Sequence, residues 1–176
     1  SWSKQMLNTA IQSCKPIIFD ADALNLLSKK TDLLLSKSKQ GREKFIFTPH
    51  PGEAARLLSS STLEIQKNRL SAIQALQQKW GGHFLLKGSG SLVIHPDSKV
   101  ALCHYGNPGM ASGGMGDILS GIIGALVGQG FKLSLALELA VCLHAKAADL
   151  AAETLGQRGL LASDIIPYAR SLLNKK

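Results

Sequence analysis

Short apolar segments at 16–20, 44–48 and 83–86 alternate with stretches of helical periodicity, and this alternation narrows the fold more than any other feature of the chain. Pro16-Ile17-Ile18-Phe19-Asp20 predicts a buried strand that ends at a carboxylate, and 44–48 and 83–86 predict two more. Between them, 3–14 carries Met6, Leu7, Ala10 and Ile11 at amphipathic helix spacing, and helical signals run from Asp22 into Leu27. The 51–58 stretch opens on a proline, as helices tolerate at their first position. A long helix is expected over 63–80, closed by Gly81-Gly82. Strand and helix in turn predict a mainly parallel sheet covered by helices. The rhythm then changes: 91–95 and 100–104, separated by Pro96-Asp97-Ser98, read as hairpin or edge strands. Helices near 114–129, 134–155 and 163–173 complete the chain.

With 176 residues, 45% of them hydrophobic, residues 1–176 are expected to form a single globular domain. The three cysteines, at 14, 103 and 142, form no C-x-x-C pair and suggest neither a disulfide framework nor a zinc site, so a reduced cytoplasm is expected and the cysteines read as core residues. The apolar stretches at 118–127 and 133–143 are too short to span a bilayer. The net charge of +8 is scattered through 28–44, 67–79 and Lys175-Lys176 without aromatic interleaving, which describes a solvated surface and not a nucleic-acid partner.

The chemistry concentrates in Gly106-Asn107-Pro108-Gly109-Met110-Ala111-Ser112-Gly113-Gly114-Met115-Gly116-Asp117, which passes directly into the apolar helix. The first turn of a helix presents unpaired amides at the positive end of the macrodipole, so a phosphate can dock there. Glycines at 113, 114 and 116 leave room for main chain to approach a ligand, and Asp117 is placed to take a proton from a hydroxyl attacking a phosphoryl group. The plainer reading is that Ser112 or Asp117 caps the helix and the glycines turn the chain; against it, the loop also holds Asn107-Pro108-Gly109, and Gly121, Gly124 and Ala125 are expected to let the helix pack closely. Neither the P-loop pattern nor the third glycine of a dinucleotide fingerprint is present.

Three further segments accompany this loop in order: Asp20-Ala21-Asp22-Ala23-Leu24-Asn25, Thr48-Pro49-His50-Pro51-Gly52-Glu53-Ala54-Ala55-Arg56-Leu57-Leu58, and Leu86-Lys87-Gly88-Ser89-Gly90-Ser91. Across nearly the whole chain the four together resemble the ADP/ATP-dependent NAD(P)H-hydrate dehydratases of the ribokinase-like superfamily. The resemblance implies an α/β fold, a ribokinase-like three-layer α/β/α domain with a mainly parallel sheet, lacking its N-terminal part. Dehydratases of this type are larger and carry an upstream Gly-Pro-Gly-Leu-Gly-like segment, so 1–176 is expected to be the C-terminal portion of such a domain. Ligands of open α/β sheets gather beyond the carboxyl ends of the strands, and one cleft is expected to collect all four segments.

The implied activity is dehydration of hydrated NADH or NADPH (NADHX or NADPHX), by phosphorylation of the ring hydroxyl and loss of phosphate. ADP or ATP would be the co-substrate, with Mg2+. The resemblance assigns catalysis and a substrate contact to Asp117 and the anion hole to Gly114, Met115 and Gly116. Substrate contacts fall to His50, Asn107 and Asp20, and nucleotide contacts to Lys87, Gly88, Ser89, Gly90, Ser91 and Gly116, with no residue assigned to metal. It further implies a homo-oligomer and, in some relatives, a fused epimerase domain.

Read as residues alone, the same positions keep alternatives open. His50 is a turn histidine or a ligand contact, Glu53 favours the dipole of its helix, and Lys87 to Ser91 is a tight turn or a phosphate cradle. Asp20, Asp22 and Asn25 suit orienting a substrate or an outer-shell magnesium, with an N-cap favoured for Asp22 and a cleft role for Asp20, and Asn107 shapes the loop or meets a ligand. His83, His95, His104 and His144 lack metal-ligand spacing and read as structural or surface residues. Two other functions stay in play: a ribokinase-like vitamin kinase that leaves the phosphoryl group on its acceptor, and a nucleotide-binding module without catalysis.

Overall fold

The computed structural model describes residues 2–13, 15–35 and 39–174, so Cys14 and Lys175-Lys176 lie outside the described residues. In chain order the elements are α1 (Trp2–Gln12), β1 (Ile17–Phe19), α2 (Asp22–Lys29), α3 (Asp32–Leu35), β2 (Phe45–Phe47), α4 (Pro51–Leu58), α5 (Thr62–Lys67), α6 (Arg69–Trp80), β3 (His83–Leu86), β4 (Ser91–Ile94), β5 (Val100–Cys103), α7 (Met115–Gly128), α8 (Leu133–Leu155) and α9 (Ile165–Leu173). Among the described residues the strands form one sheet in the order β1-β2-β3-β4-β5. β1, β2 and β3 pair in parallel and β4 runs antiparallel to β3. The chain divides into two compact units, Ser1–Gly88 with Leu92–Ala101, and Ser89–Ser91 with Leu102–Lys176.

The first unit is organised by a row of phenylalanines. Phe19, Phe47 and Phe84 are register partners on three adjacent strands. Their rings stack face to face, Phe19 on Phe47 at 4.8 Å and Phe47 on Phe84 at 4.4 Å between centroids. Phe45 meets Phe19 edge-on at 5.3 Å. All of β2 and β3 is buried, as expected of parallel strands covered on both faces. Around the row pack Leu24 and Leu27 of α2, Leu57 of α4, Ile73, Leu76 and Trp80 of α6, and Leu7 and Ile11 of α1. Met6, expected on the buried stripe of α1, is exposed.

Two expectations need correction here. The single helix over 63–80 is two helices, α5 and α6, broken at Asn68. Asn68 takes φ −140° and its side chain accepts a bond from the Ser71 amide, so it caps the second helix instead of continuing the first. The basic stretch 28–44 is not all solvated: Arg42 is buried, and its guanidinium donates to the Trp80 carbonyl at 3.2 Å. Gly82 does more than end a helix, because a Cβ there would lie 2.7 Å from the Phe45 carbonyl oxygen.

In the second unit α8 presents a stripe of alanines to its neighbours; Ala147, Ala148 and Ala151 pack with Met115 of α7, Leu160, and Ile165 and Ala169 of α9. α7 buries Met115, Leu119, Ile123 and Leu126, one stripe at helical spacing. Gly121, Gly124 and Ala125 lie on its exposed side, so they are not the close-packing positions expected of them. Of the other cysteines, Cys103 is buried as expected, whereas Cys142 is exposed.

One step beyond the Phe84–Ile94 pair of β3 and β4, His83 and His95 face each other inside the first unit, both buried, with their Nδ1 atoms 2.8 Å apart. One nitrogen carries the shared proton and the other accepts it. Burial, reinforced by His95, lowers the His83 pKa to about 4. Because the folded value lies below the ordinary one of about 6.5, the fold disfavours a protonated His83, so the stability present above that pH is lost progressively as pH falls toward 4. Urea denaturation at pH 7.5 and pH 5 should show this loss. His83→Gln should flatten the acid limb; an unchanged limb in that variant would remove His83 as its source.

Candidate functional site

The stacked phenylalanines set the level at which the three parallel strands end. Beyond Phe19 comes Asp20, beyond Phe47 comes Thr48, and β3 runs on to Lys87. The strand ends stay tied past the sheet: the Thr48 amide donates to the Phe19 carbonyl at 3.1 Å, and the Lys87 amide to the Pro49 carbonyl at 2.9 Å. The Thr48 hydroxyl also reaches the Phe19 carbonyl, at 3.3 Å. Asp20 and Lys87, expected on separate ligands, meet each other: Lys87 Nζ lies 2.9 Å from Asp20 Oδ1. Both side chains are half-buried, so the ammonium is held in place and not left to wander in solvent as the tight-turn reading would have it. Asp22 does not cap α2. The N-cap is Ala21, with no side-chain bond, and the exposed Asp22 is the first helical residue.

His50 is the N-cap of α4, a position usually held by Ser, Thr, Asp or Asn. Its Nδ1 accepts from the amides of Gly52 at 3.0 Å and Glu53 at 3.4 Å, which leaves the ring proton of the neutral form on Nε2. Glu53 closes a reciprocal box by accepting from the His50 amide at 2.8 Å. This explains the Pro-His-Pro-Gly-Glu spelling: proline opens the helix, and a Cβ at Gly52 would fall 2.9 Å from the His50 Cε1. Glu53 is buried while His50 is half exposed, and His50 Nε2 lies 3.6 Å from Glu53 Oε1, so the carboxylate steadies both the helix start and the ring, whose exposed part is what a ligand can meet.

The glycine turn after β3 is braced from below by Arg69, a residue the sequence reading passed over. Its guanidinium donates to the carbonyls of Leu86 at 3.2 Å and Lys87 at 3.4 Å. Gly88 has φ +138°, and a Cβ on it would lie 2.8 Å from Arg69 Nη1.

The second unit holds the loop that enters α7. Asn107 shapes it: Oδ1 accepts from the Gly109 amide at 3.0 Å and Nδ2 donates to Asp149 Oδ1 at 3.0 Å. Asp149, on α8 and also unforeseen, accepts from the Gly106 amide with its other oxygen at 3.0 Å. A Cβ at Gly109 would meet the Gln157 carbonyl oxygen at 2.7 Å. α7 starts at Met115, with Gly114 at φ +86° as its N-cap, so neither Ser112 nor Asp117 holds that position and the cap makes no side-chain bond. Asp117 lies exposed in the first turn, one residue past Gly116. A positive helix end, a cap without a side chain and an exposed carboxylate beside it together suit an anion that brings a transferable proton nearby.

The capping geometry makes one substitution diagnostic. Gly52→Ala forces the His50 ring off its two amides and should cost about 1–2 kcal/mol, whereas His50→Asn, which keeps a good cap, should cost less than about 0.5 kcal/mol. Urea midpoints of the two variants check this, and equal losses would remove the cap as the reason for glycine at 52.

A family model described as NAD(P)H-hydrate dehydratase matches residues 1–170. A bifunctional NAD(P)H-hydrate repair enzyme, Nnr, of Coxiella burnetii is 49% identical over 173 residues, which is 98% of this chain and 34% of that protein. The chain thus spans about a third of the length of that relative. The crystal structure of a Bacillus subtilis ADP/ATP-dependent NAD(P)H-hydrate dehydratase, co-crystallised with ATP and Mg2+, superposes with TM-score 0.70 at 29% identity, covering 73% of this chain and 47% of that one. A ribokinase-like superfamily protein of Enterococcus faecalis superposes with TM-score 0.75 at 29% identity, covering 96% and 58%. The fold is ribokinase-like α/β with a mainly parallel sheet. From the four ordered segments, their geometry and these matches, the chain belongs to the NAD(P)H-hydrate dehydratase family.

Proposed function

We propose that the chain is the C-terminal portion, within 1–176, of a single dehydratase domain that converts NADHX or NADPHX back to NADH or NADPH with ADP or ATP as phosphoryl donor. The observation that carries this reading is Asp117 exposed in the first turn of α7 beside an N-cap that has no side chain. Hydroxide is a poor leaving group and phosphate a good one. Asp117 takes the proton of the ring hydroxyl as its oxygen forms a bond to the terminal phosphorus of the nucleotide, and the bridging P–O bond breaks. The amides of Gly114, Met115 and Gly116, at the positive end of α7, stabilise the charge that grows on the transferred group. The ring nitrogen then supports departure of phosphate with the C–O electrons, and loss of a proton from the neighbouring carbon restores the dihydronicotinamide.

In this scheme His50 offers the exposed part of its imidazole to the substrate, Asn107 and Asp20 contribute further contacts, and Lys87, Gly88, Ser89, Gly90, Ser91 and Gly116 receive the nucleotide. Mg2+ suits the donor set without a protein cage, because a hard, strongly hydrated cation takes phosphate oxygens and needs at most one or two carboxylates such as Asp20. When bound it neutralises phosphate charge. Among the described residues no helix is long and apolar enough to cross a membrane. The free thiols of Cys103 and Cys142 suit a reducing cytoplasm. A homo-oligomer and a fused epimerase domain in the parent protein complete the proposal.

The test is to mix the protein with hydrated NADH or NADPH and either nucleotide, and to follow reduced-cofactor absorbance together with free phosphate. Both should rise in parallel. A phosphorylated acceptor that accumulates without free phosphate would replace this reading by a small-molecule kinase. Asp117→Asn should keep nucleotide affinity yet lose about 10²- to 10⁴-fold in turnover. Turnover at the wild-type rate would remove Asp117 from the role of base.

A further inference from the structure

Arg69 opens α6, and its guanidinium grips the main chain where β3 ends. Nη2 donates to the Leu86 carbonyl at 3.2 Å, and Nη1 to the Lys87 carbonyl at 3.4 Å and to Gln66 Oε1 at 3.2 Å. In a trans peptide the C=O and N–H point in opposite directions, so holding a carbonyl also fixes the direction of the amide across the same bond. The first peptide plane is thereby clamped from both sides, since the Lys87 amide donates to the Pro49 carbonyl at 2.9 Å while its Leu86 carbonyl rests on Arg69. The second plane, between Lys87 and Gly88, has its carbonyl on the guanidinium and its amide turned away. Gly88 leaves the space that the guanidinium occupies, because a Cβ there would lie 2.8 Å from Nη1. At the other end of Lys87 the ammonium is held 2.9 Å from Asp20.

We infer that Arg69 is a positioning residue for nucleotide binding: by fixing two successive peptide planes it sets the course of the turn from Lys87 to Ser91, the segment proposed above to receive the nucleotide. The inference rests on the nucleotide role proposed above for Lys87 to Ser91. Arginine is suited to the task because its planar fork spans two carbonyls at once, whereas a lysine ammonium on the same stem reaches one and remains strongly hydrated.

The experiment is calorimetric titration of the full chain with Mg·ADP and Mg·ATP, comparing the wild type with R69A and R69K and recording thermal melting of each protein without ligand. R69A should bind nucleotide about tenfold or more weakly, R69K by a smaller factor, and millimolar guanidinium should restore part of the affinity of R69A while leaving that of the wild type unchanged. A merely structural arginine would lower the melting temperature and leave affinity within about twofold of wild type, and that result overturns the inference. Should R69A fail to fold, R69K decides by the same criterion. If the wild type binds neither nucleotide, the nucleotide assignment itself fails and this inference falls with it. Wild-type binding with loss confined to the Arg69 variants supports both.

Discussion

The stacking of Phe19, Phe47 and Phe84 across three parallel strands is the constraint on which the first unit turns. A shift of one residue in any of these strands would reverse which face each side chain takes, carrying a phenylalanine out of the row. The row therefore fixes the register, and with it the level at which Asp20, Thr48 and Lys87 emerge. The Lys87–Asp20 pair at 2.9 Å is a consequence of that alignment, since the two residues are 67 positions apart in the chain. Chemistry at the carboxyl edge of the sheet is thus set by hydrophobic packing one layer below it.

In each unit some glycines leave room for a neighbouring group. At Gly52 the space is taken by the imidazole of His50, at Gly88 by the guanidinium of Arg69 and at Gly109 by the carbonyl of Gln157. His50 and Arg69 in turn satisfy backbone groups that a helix end or a turn would otherwise leave unpaired. Three candidate side chains are held by hydrogen bonds: His50 by two amides, Lys87 by a carboxylate and Asn107 by both a backbone amide and Asp149. Groups fixed in this way need not reorganise when charge develops, which is the source of most electrostatic stabilisation in transfer reactions.

The second unit reaches a comparable end by different means. Its alanine-rich α8 packs closely with its neighbours and carries Asp149, whose two oxygens hold the loop that leads to α7. α7 opens on a glycine with no side-chain cap, so the partial positive charge of its first turn remains available to an anion. Asp117 sits in that turn, where a carboxylate is favoured by the dipole and its oxygens are open to a proton donor.

Much of this was legible in the residues. Local periodicity and helix punctuation placed the strands over 16–20, 44–48 and 83–86, the start of α4 and the glycine entry to α7, because those signals are carried by neighbours in the chain. The break at Asn68 was missed because an unbroken helical pattern does not reveal that an asparagine side chain will cap the next helix. Arg69, Asp149 and the His83–His95 pair were missed for a different reason: each acts on groups 12 or more positions away, and nothing in its local sequence marks it. The sequence by itself determined the alternating fold, the glycine loop and the family to which the chain belongs. Only the tertiary structure decided which polar groups meet, because that depends on strand register and helix placement, which are fixed by packing between segments remote in the chain.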